Sequence, residues 1–218
     1  MKKILAVILA FLFLFTAGTA FADGAPMLAG GWTAAEDYAL TEETAAIFNK
    51  AFEGLAGAGY EPIALLGTQV VAGVNYKFFA KQTLVTAEPV ISYGIVTVYV
   101  DLEGNASFTD YVPVIAEAEE ALCGGYAPVD DWTVTEEISG MIANALEGLT
   151  GAGYEGIAVI GTQVVAGLNY QILAKQTLVT AEPVVNYGVL TIYKDLEGNA
   201  SFTGFTALDE LPAEEIAE

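Results

Sequence analysis

Two identical heptapeptides, Gly67-Thr68-Gln69-Val70-Val71-Ala72-Gly73 and Gly161-Thr162-Gln163-Val164-Val165-Ala166-Gly167, hold the residues best suited to chemistry in this chain. The chemistry they suit is contact, not catalysis. Val-Val-Ala is a small apolar tip that can enter a cleft dehydrated. Gly73 and Gly167 permit the tight turn, and Gln69 and Gln163 offer an amide to a partner's backbone. Catalytic alternatives are poor. The chain has no histidine, which removes the usual base of a serine or cysteine nucleophile and the commonest zinc ligand. Cys123 is the sole cysteine; it reads as a small apolar residue and cannot close a disulfide within the chain. Asp101-x-Glu103-x-Asn105 has the look of a calcium loop but lacks its glycine at position six and its acid at position twelve, so it reads as a hairpin turn. The many carboxylates sit in units too small to form a sugar-binding cleft of the glycosidase kind. No catalytic residue, metal or cofactor is expected. Asn105-Ala106-Ser107 and Asn199-Ala200-Ser201 are formal glycosylation sequons.

Charge narrows the partners. Seven basic residues, all lysine, face 28 acids, for a formal net charge of −21. Such a surface repels nucleic acid and anionic lipid, which are bound by neutralising phosphates. It suits a soluble protein or a basic partner. The apolar fraction is 54% and the charged fraction only 16%, the balance of a chain that folds.

The amino-terminal pattern is that of a secretory leader. Lys2 and Lys3 precede an apolar run from Ile4 to Phe15, and Ala20-Phe21-Ala22 resembles a cleavage site. Residues 1–22 are expected to be removed. The run falls short of the roughly 20 apolar residues that span a bilayer, so no membrane attachment is expected after cleavage, and the mature protein is expected to be extracellular or periplasmic.

The elements that position the heptapeptides occur twice. A displacement of 94 positions, without a gap, carries Thr41-Glu42-Glu43 onto Thr135-Glu136-Glu137, Ala80–Val90 onto Ala174–Val184 and Asp101–Thr109 onto Asp195–Thr203. A period of this length marks a duplicated domain and not a solenoid repeat. The expected division is residues 23–112, a link over 113–120, and residues 121–218, each unit held by its own core. In each unit Thr41 or Thr135 can cap a helix whose first turn carries acids. Phe48, Phe52 and Leu55, repeated as Ile142, Leu146 and Leu149, form one apolar stripe. Gly57 and Gly59, like Gly151 and Gly153, are expected to end that helix. Four strand-like runs follow in the first unit, at about 61–71, 74–85, 90–102 and 106–112. One helix and four antiparallel strands predict an α+β class with the sheet wrapping the helix.

Three segments per unit carry a family resemblance. Gln69–Gly73 and Gln163–Gly167 are similar to the first hairpin of the cystatin superfamily, and the following Asn75-Tyr76 and Asn169-Tyr170 extend the match to stefins, its disulfide-free members. Met27-Leu28-Ala29-Gly30-Gly31 and Ala121-Leu122-Cys123-Gly124-Gly125 resemble the stefin amino-terminal trunk. Leu102-Glu103-Gly104-Asn105 and Leu196-Glu197-Gly198-Asn199 occupy the place of the second hairpin, and Phe202-Thr203-Gly204-Phe205 resembles a stefin carboxy-terminal end. The resemblance implies a cystatin-like fold of one helix wrapped by a four- to five-stranded antiparallel sheet, in two tandem copies. It also implies reversible, competitive inhibition of papain-like cysteine proteases by a trunk-and-two-hairpin wedge.

The contact residues so implied are Leu28, Gly30, Gly31, Gln69, Val70, Val71, Ala72, Gly73, Leu102, Glu103 and Gly104. In the second copy they are Leu122, Gly124, Gly125, Gln163, Val164, Val165, Ala166, Gly167, Leu196, Glu197 and Gly198. One departure stands out: Glu103 and Glu197 fill the place that holds proline in stefins, setting a charge at the contact edge. The alternative reading is a non-inhibitory extracellular binding or structural module built on the same fold.

Overall fold

A computed structural model describes residues 30–116 and 125–209. The expected leader, together with Leu28, Leu122, Cys123 and Gly124, lies outside those residues. The order of elements is β1 (Trp32–Ala34), α1 (Glu42–Ala51), β2 (Ala58–Val71), β3 (Gly73–Leu84), β4 (Val90–Val100) and β5 (Ala106–Ala116). It repeats as β6 (Ala127–Pro128), α2 (Glu136–Ala145), β7 (Ala152–Val165), β8 (Gly167–Leu178), β9 (Val184–Lys194) and β10 (Ala200–Ala207). Pro113–Ala116, assigned to the link by the repeat alone, continue strand β5.

Each helix is short for identifiable reasons. Thr41 Oγ1 accepts from the Thr44 amide at 3.1 Å, and Thr44 Oγ1 accepts from the Thr41 amide at 2.9 Å, a closed capping box. Glu42 and Glu43 occupy the first turn and Lys50 the last, each complementing the helix dipole. At the other end Phe52 is the C-cap and Gly54 turns left-handed at φ 81°. The helix therefore ends before Gly57, and Leu55 lies beyond it, exposed, off the expected stripe. Gly148 ends α2 in the same way and leaves Leu149 exposed.

The expected class is overturned. Among the described residues the fold is mostly β: two antiparallel five-stranded sheets, ordered β1-β2-β3-β4-β5 and β10-β9-β8-β7-β6, with two short helices that make up 12% of those residues. No sheet wraps a helix. A ten-residue helix is about 15 Å long and covers only part of a sheet whose longest strands have 14 residues. On one face of the first sheet Phe48 of α1 packs with Phe78, Ala80, Val96 and Val98. Met141 and Ile142 of α2 pack likewise on Ile172, Ala174, Leu190 and Ile192 of the second sheet. The opposite faces of the two sheets meet each other. Ala64, Leu66, Phe79, Tyr93 and Ile115 from one, and Ala158, Ile160, Leu173, Tyr187 and Val189 from the other, form a single buried cluster. The units are thus not held by separate cores alone, and the layers run helix, sheet, sheet, helix.

This stacking has near-twofold symmetry, written in reciprocal hydrogen bonds. Tyr93 Oη donates to the Val129 carbonyl at 2.6 Å, and its counterpart Tyr187 Oη donates to the Ala35 carbonyl at 2.8 Å. Lys81 Nζ donates to the Asp130 carbonyl at 2.7 Å, and its counterpart Lys175 Nζ to the Glu36 carbonyl. Every donor and acceptor here recurs at the same 94-residue displacement, so each unit offers the other the same self-complementary surface.

Phe79 sits at the centre of the shared cluster with no exposed surface. Phe79→Ala should cost about 3–5 kcal/mol. Urea unfolding followed by circular dichroism and by NMR signals from both units should show one transition, with both units lost together. The phenols add a pH dependence. Burial, the largest cause in each case, pushes Tyr111 and Tyr187 up to about 12 and Tyr93 higher still, against an ordinary value of 10. These are acids that hold their protons more tightly in the folded state. Their contribution is complete below pH 10 and is lost as pH rises towards 12. The urea midpoint should therefore fall between pH 9 and pH 11, and less steeply in Tyr187→Phe, which at pH 7 forfeits about 1–3 kcal/mol for the orphaned carbonyl.

Candidate functional site

The two hairpin tips expected from the sequence converge at one end of each sheet. In the first unit β2 and β3 pair down to Val71 and Gly73, leaving Ala72 alone at the turn. Gly73 is required there twice over. Its φ is 125°, and a Cβ would lie 2.3 Å from the Val100 carbonyl oxygen and 2.8 Å from the Tyr99 ring. Only glycine lets the tip lie this close to β4. Gly167 repeats the arrangement at φ 132°, with the Lys194 carbonyl oxygen 2.4 Å from its would-be Cβ. The tip presents its apolar groups outward: Val70 is 70% exposed and Val164 76%. Val71 and Val165 are exposed as well.

Val74 pairs with Val100, so the β4–β5 turn, Asp101–Asn105, lies beside the first tip. Leu102 and Leu196 project from these turns at 81% exposure each. The turn is built around one carboxylate. Asp101 Oδ1 accepts from the Glu103 amide at 3.0 Å and the Asn105 amide at 2.7 Å, and Oδ2 accepts from Asn105 Nδ2 at 2.8 Å. Lys50 Nζ, from the end of α1, donates to the Gly104 carbonyl at 2.8 Å. Gly104 and Gly198 take positive φ to close their turns. These bonds, led by the Asn105 side chain, hold the Asp101 carboxyl below its ordinary range, and Asn199 does the same for Asp195. The carboxylate that suggested a weak calcium loop is thus committed to its own turn. Among the described residues no cluster of three or more His, Cys, Asp or Glu can hold a metal.

The trunk joins the same end. Trp32 pairs with Gln69, and Gln69 Nε2 donates to the Gly30 carbonyl. Gln69 Oε1 in turn accepts from Asn75 Nδ2 at 2.7 Å. Both ends of the Gln69 amide are therefore used within the molecule. Its role in this geometry is to tie trunk to hairpin, where the sequence suggested a hand held out to a partner. Gly31 leads directly into β1. In the second unit Asn169 Nδ2 donates to Gln163 Oε1 at 2.6 Å, Gly125 approaches β6, and β6 pairs with β7 over only Ala127 and Pro128. The proline has no amide hydrogen to extend the ladder.

Of the expected contact residues, Gly30, Gly31, Gln69–Gly73 and Leu102–Gly104 come together at one end of the first sheet. Gly125, Gln163–Gly167 and Leu196–Gly198 come together at one end of the second. The two ends face away from each other. Trp32, Gly67 and Lys77, near the tip end of the first sheet, line one cavity with Val185, Asn186 and Tyr187, from the far end of the second.

Sequence reasoning missed the braces. Tyr99 Oη donates to the Ala72 carbonyl, and Tyr193 Oη to the Ala166 carbonyl, each fixing a tip from the neighbouring strand. The signal for Asp101 was present in the unchanged Asp-x-x-x-Asn spacing, an Asx-type turn. The tyrosines become legible only once strand register is known. Compared with protein-family models and curated proteins, the chain matches no family model and no curated protein.

Asp101→Ala should loosen the second tip without unfolding the sheet, raising the mobility of the Glu103 and Asn105 amides in 15N relaxation at pH 7. The wild-type turn should behave likewise in acid. A lowered carboxyl pKa gives order that is present above the ordinary 3.8 and is lost as pH falls through the lowered value.

Proposed function

We propose that this chain is a secreted, two-headed, reversible inhibitor of papain-like cysteine proteases, each head entering the protease cleft as a competitive wedge. The observation that carries this reading is the convergence of three separate segments on one sheet end: a glycine-rich trunk, a Val-Val-Ala tip and a leucine-bearing second turn. Each is held by internal hydrogen bonds before any partner arrives. Rigid apolar tips lose little conformational entropy on binding, so a small contact can still be tight. Full burial of a valine side chain is worth about 1.5–3 kcal/mol. A wedge of this kind blocks access to the catalytic thiol without presenting a bond for attack, consistent with a chain that has no histidine of its own. Glu103 and Glu197 bring a carboxylate to the contact edge and favour a cleft rim with a basic or hydrogen-bond-donating group.

Titration of papain and of several cathepsins with the protein should abolish peptidase activity. Because the two ends face opposite directions, one chain should bind two protease molecules. Val70→Asp with Val71→Asp, or Val164→Asp with Val165→Asp, should each weaken one head about tenfold to a hundredfold, because a charge then enters a dehydrated contact. Each pair should leave one protease bound per chain. Full peptidase activity at micromolar protein across the panel would remove the inhibitor reading, and the same tips would then serve contact with a non-protease partner.

A further inference from the structure

The near-twofold symmetry of the sheet stack is broken beside β1. Between the sheets, beside β1, lies a cavity of about 280 Å³ lined by Trp32, Leu66, Lys77 and Ile95 from one unit and by Asn186 and Asp209 from the other, among others. Its symmetry-related position is filled. There Ile115 lies against Gly161, so closely that an added Cβ on that glycine would be 2.2 Å from Ile115 Cδ1. At Gly67, the equivalent glycine, the three nearest atoms are all backbone, of Thr33 and Ala34, and the space beyond is the cavity.

The difference is in the sequence. At a 94-residue displacement Ile115 corresponds to Asp209, Gln171 to Lys77, Ser92 to Asn186 and Tyr126 to Trp32. Elsewhere the copies keep runs such as Ala80–Val90 unchanged. The changes that open this cavity also make it polar and charged. Lys77 is its central group. Its ammonium lies 4.2 Å from the centre of the Trp32 ring, and among the described residues it makes no ion pair within 4.0 Å and no hydrogen bond. Burial pulls its pKa down while Asp209 acts in the opposite direction. A half-buried ammonium set against an aromatic face, with a carboxylate nearby but outside ion-pair distance, is incompletely compensated and favours a closer anionic partner. The apolar lining from Leu66, Ile95 and Trp32 suits a ligand body without charge. The volume sits at the low end of small-molecule sites, about 300 Å³.

We infer that this cavity is a binding site for a small monocarboxylate with an apolar body, its carboxylate on Lys77 Nζ and its body between Trp32 and Ile95. The Asp209 carboxylate at the rim disfavours dianions. The site lies between the sheets and adjoins the trunk through Trp32, but it includes no hairpin-tip residue, so its test does not depend on protease inhibition.

The test is an NMR titration of the whole protein with 3-phenylpropionate, phenylalanine and phenethylamine. The Trp32 indole signal is the reporter and the Trp132 indole the control for an intact fold. Both carboxylates should shift Trp32 and leave Trp132 in place, while the amine should do neither. Lys77→Gln and Asp209→Ile install residues that the other unit already carries at these positions. The first should weaken carboxylate binding at least tenfold by removing the charge, and the second should do so by filling the space. The proposal is overturned if no carboxylate moves Trp32 at about 10 mM, a concentration that reveals even millimolar affinity. It is equally overturned if the amine binds as well as the acids, or if both variants bind as the wild type does with Trp132 unchanged.

Discussion

The two sheets have to cover each other, and most of the architecture follows from that requirement. An antiparallel sheet of long strands has two faces, and a helix of under three turns hides only part of one. Left alone, the opposite face would expose Phe79, Tyr93, Leu66 and Ile115 as one continuous apolar patch. The duplicated unit brings an equivalent face. Stacking them buries both and provides partners for the tyrosine hydroxyls and lysine ammoniums at the margins. Among the described residues no buried side-chain polar atom lacks a hydrogen bond, so the fully buried part of the joint is satisfied in polar terms.

The gapless repeat, the amino-terminal helix caps and the hairpin turns could be read from the residues, because each rests on local chemistry. A threonine three residues before a threonine closes a cap, a glycine allows positive φ, and an aspartate four residues before an asparagine closes a turn. The class could not be read that way. Counting one helix and four strands per unit says nothing of what lies against the second face of the sheet. A trace of it existed in consecutive apolar residues such as Phe78-Phe79-Ala80 and Ile172-Leu173-Ala174, where one-sided burial would have left every second residue polar. Phe78 and Ala80 turn to the helix and Phe79 to the other sheet. The candidate contact residues were legible as segments, since tips are made of local turns. Their braces, Tyr99 and Tyr193, depend on pairing between strands and left no local mark.

The ends of the sheets are organised on a different principle from the middle. In the stack, apolar groups are hidden and the polar margin is paired. At the tips, apolar groups are displayed and the polar groups beneath them are consumed internally: Gln69 by Gly30 and Asn75, Asp101 by its own turn, Tyr99 by Ala72. A strongly acidic protein therefore shows exposed valines and leucines on turns that side-chain hydrogen bonds hold, although Val85 and Val179, at the far turns, are as exposed as the tip valines. Exposure without mobility is costly unless the surface is used, and this combination directs attention to the tips.

The reciprocal bonds between the units have a consequence for how the molecule responds to dilution. A self-complementary face on a separate half would find its mate only by collision, and its stability would depend on protomer concentration. Residues 117–124 connect the last residue of β5 to the approach to β6, so the encounter is intramolecular. For a connection this short the effective local concentration is on the order of millimolar. The stack should therefore stay closed at any working concentration, however far the protein is diluted.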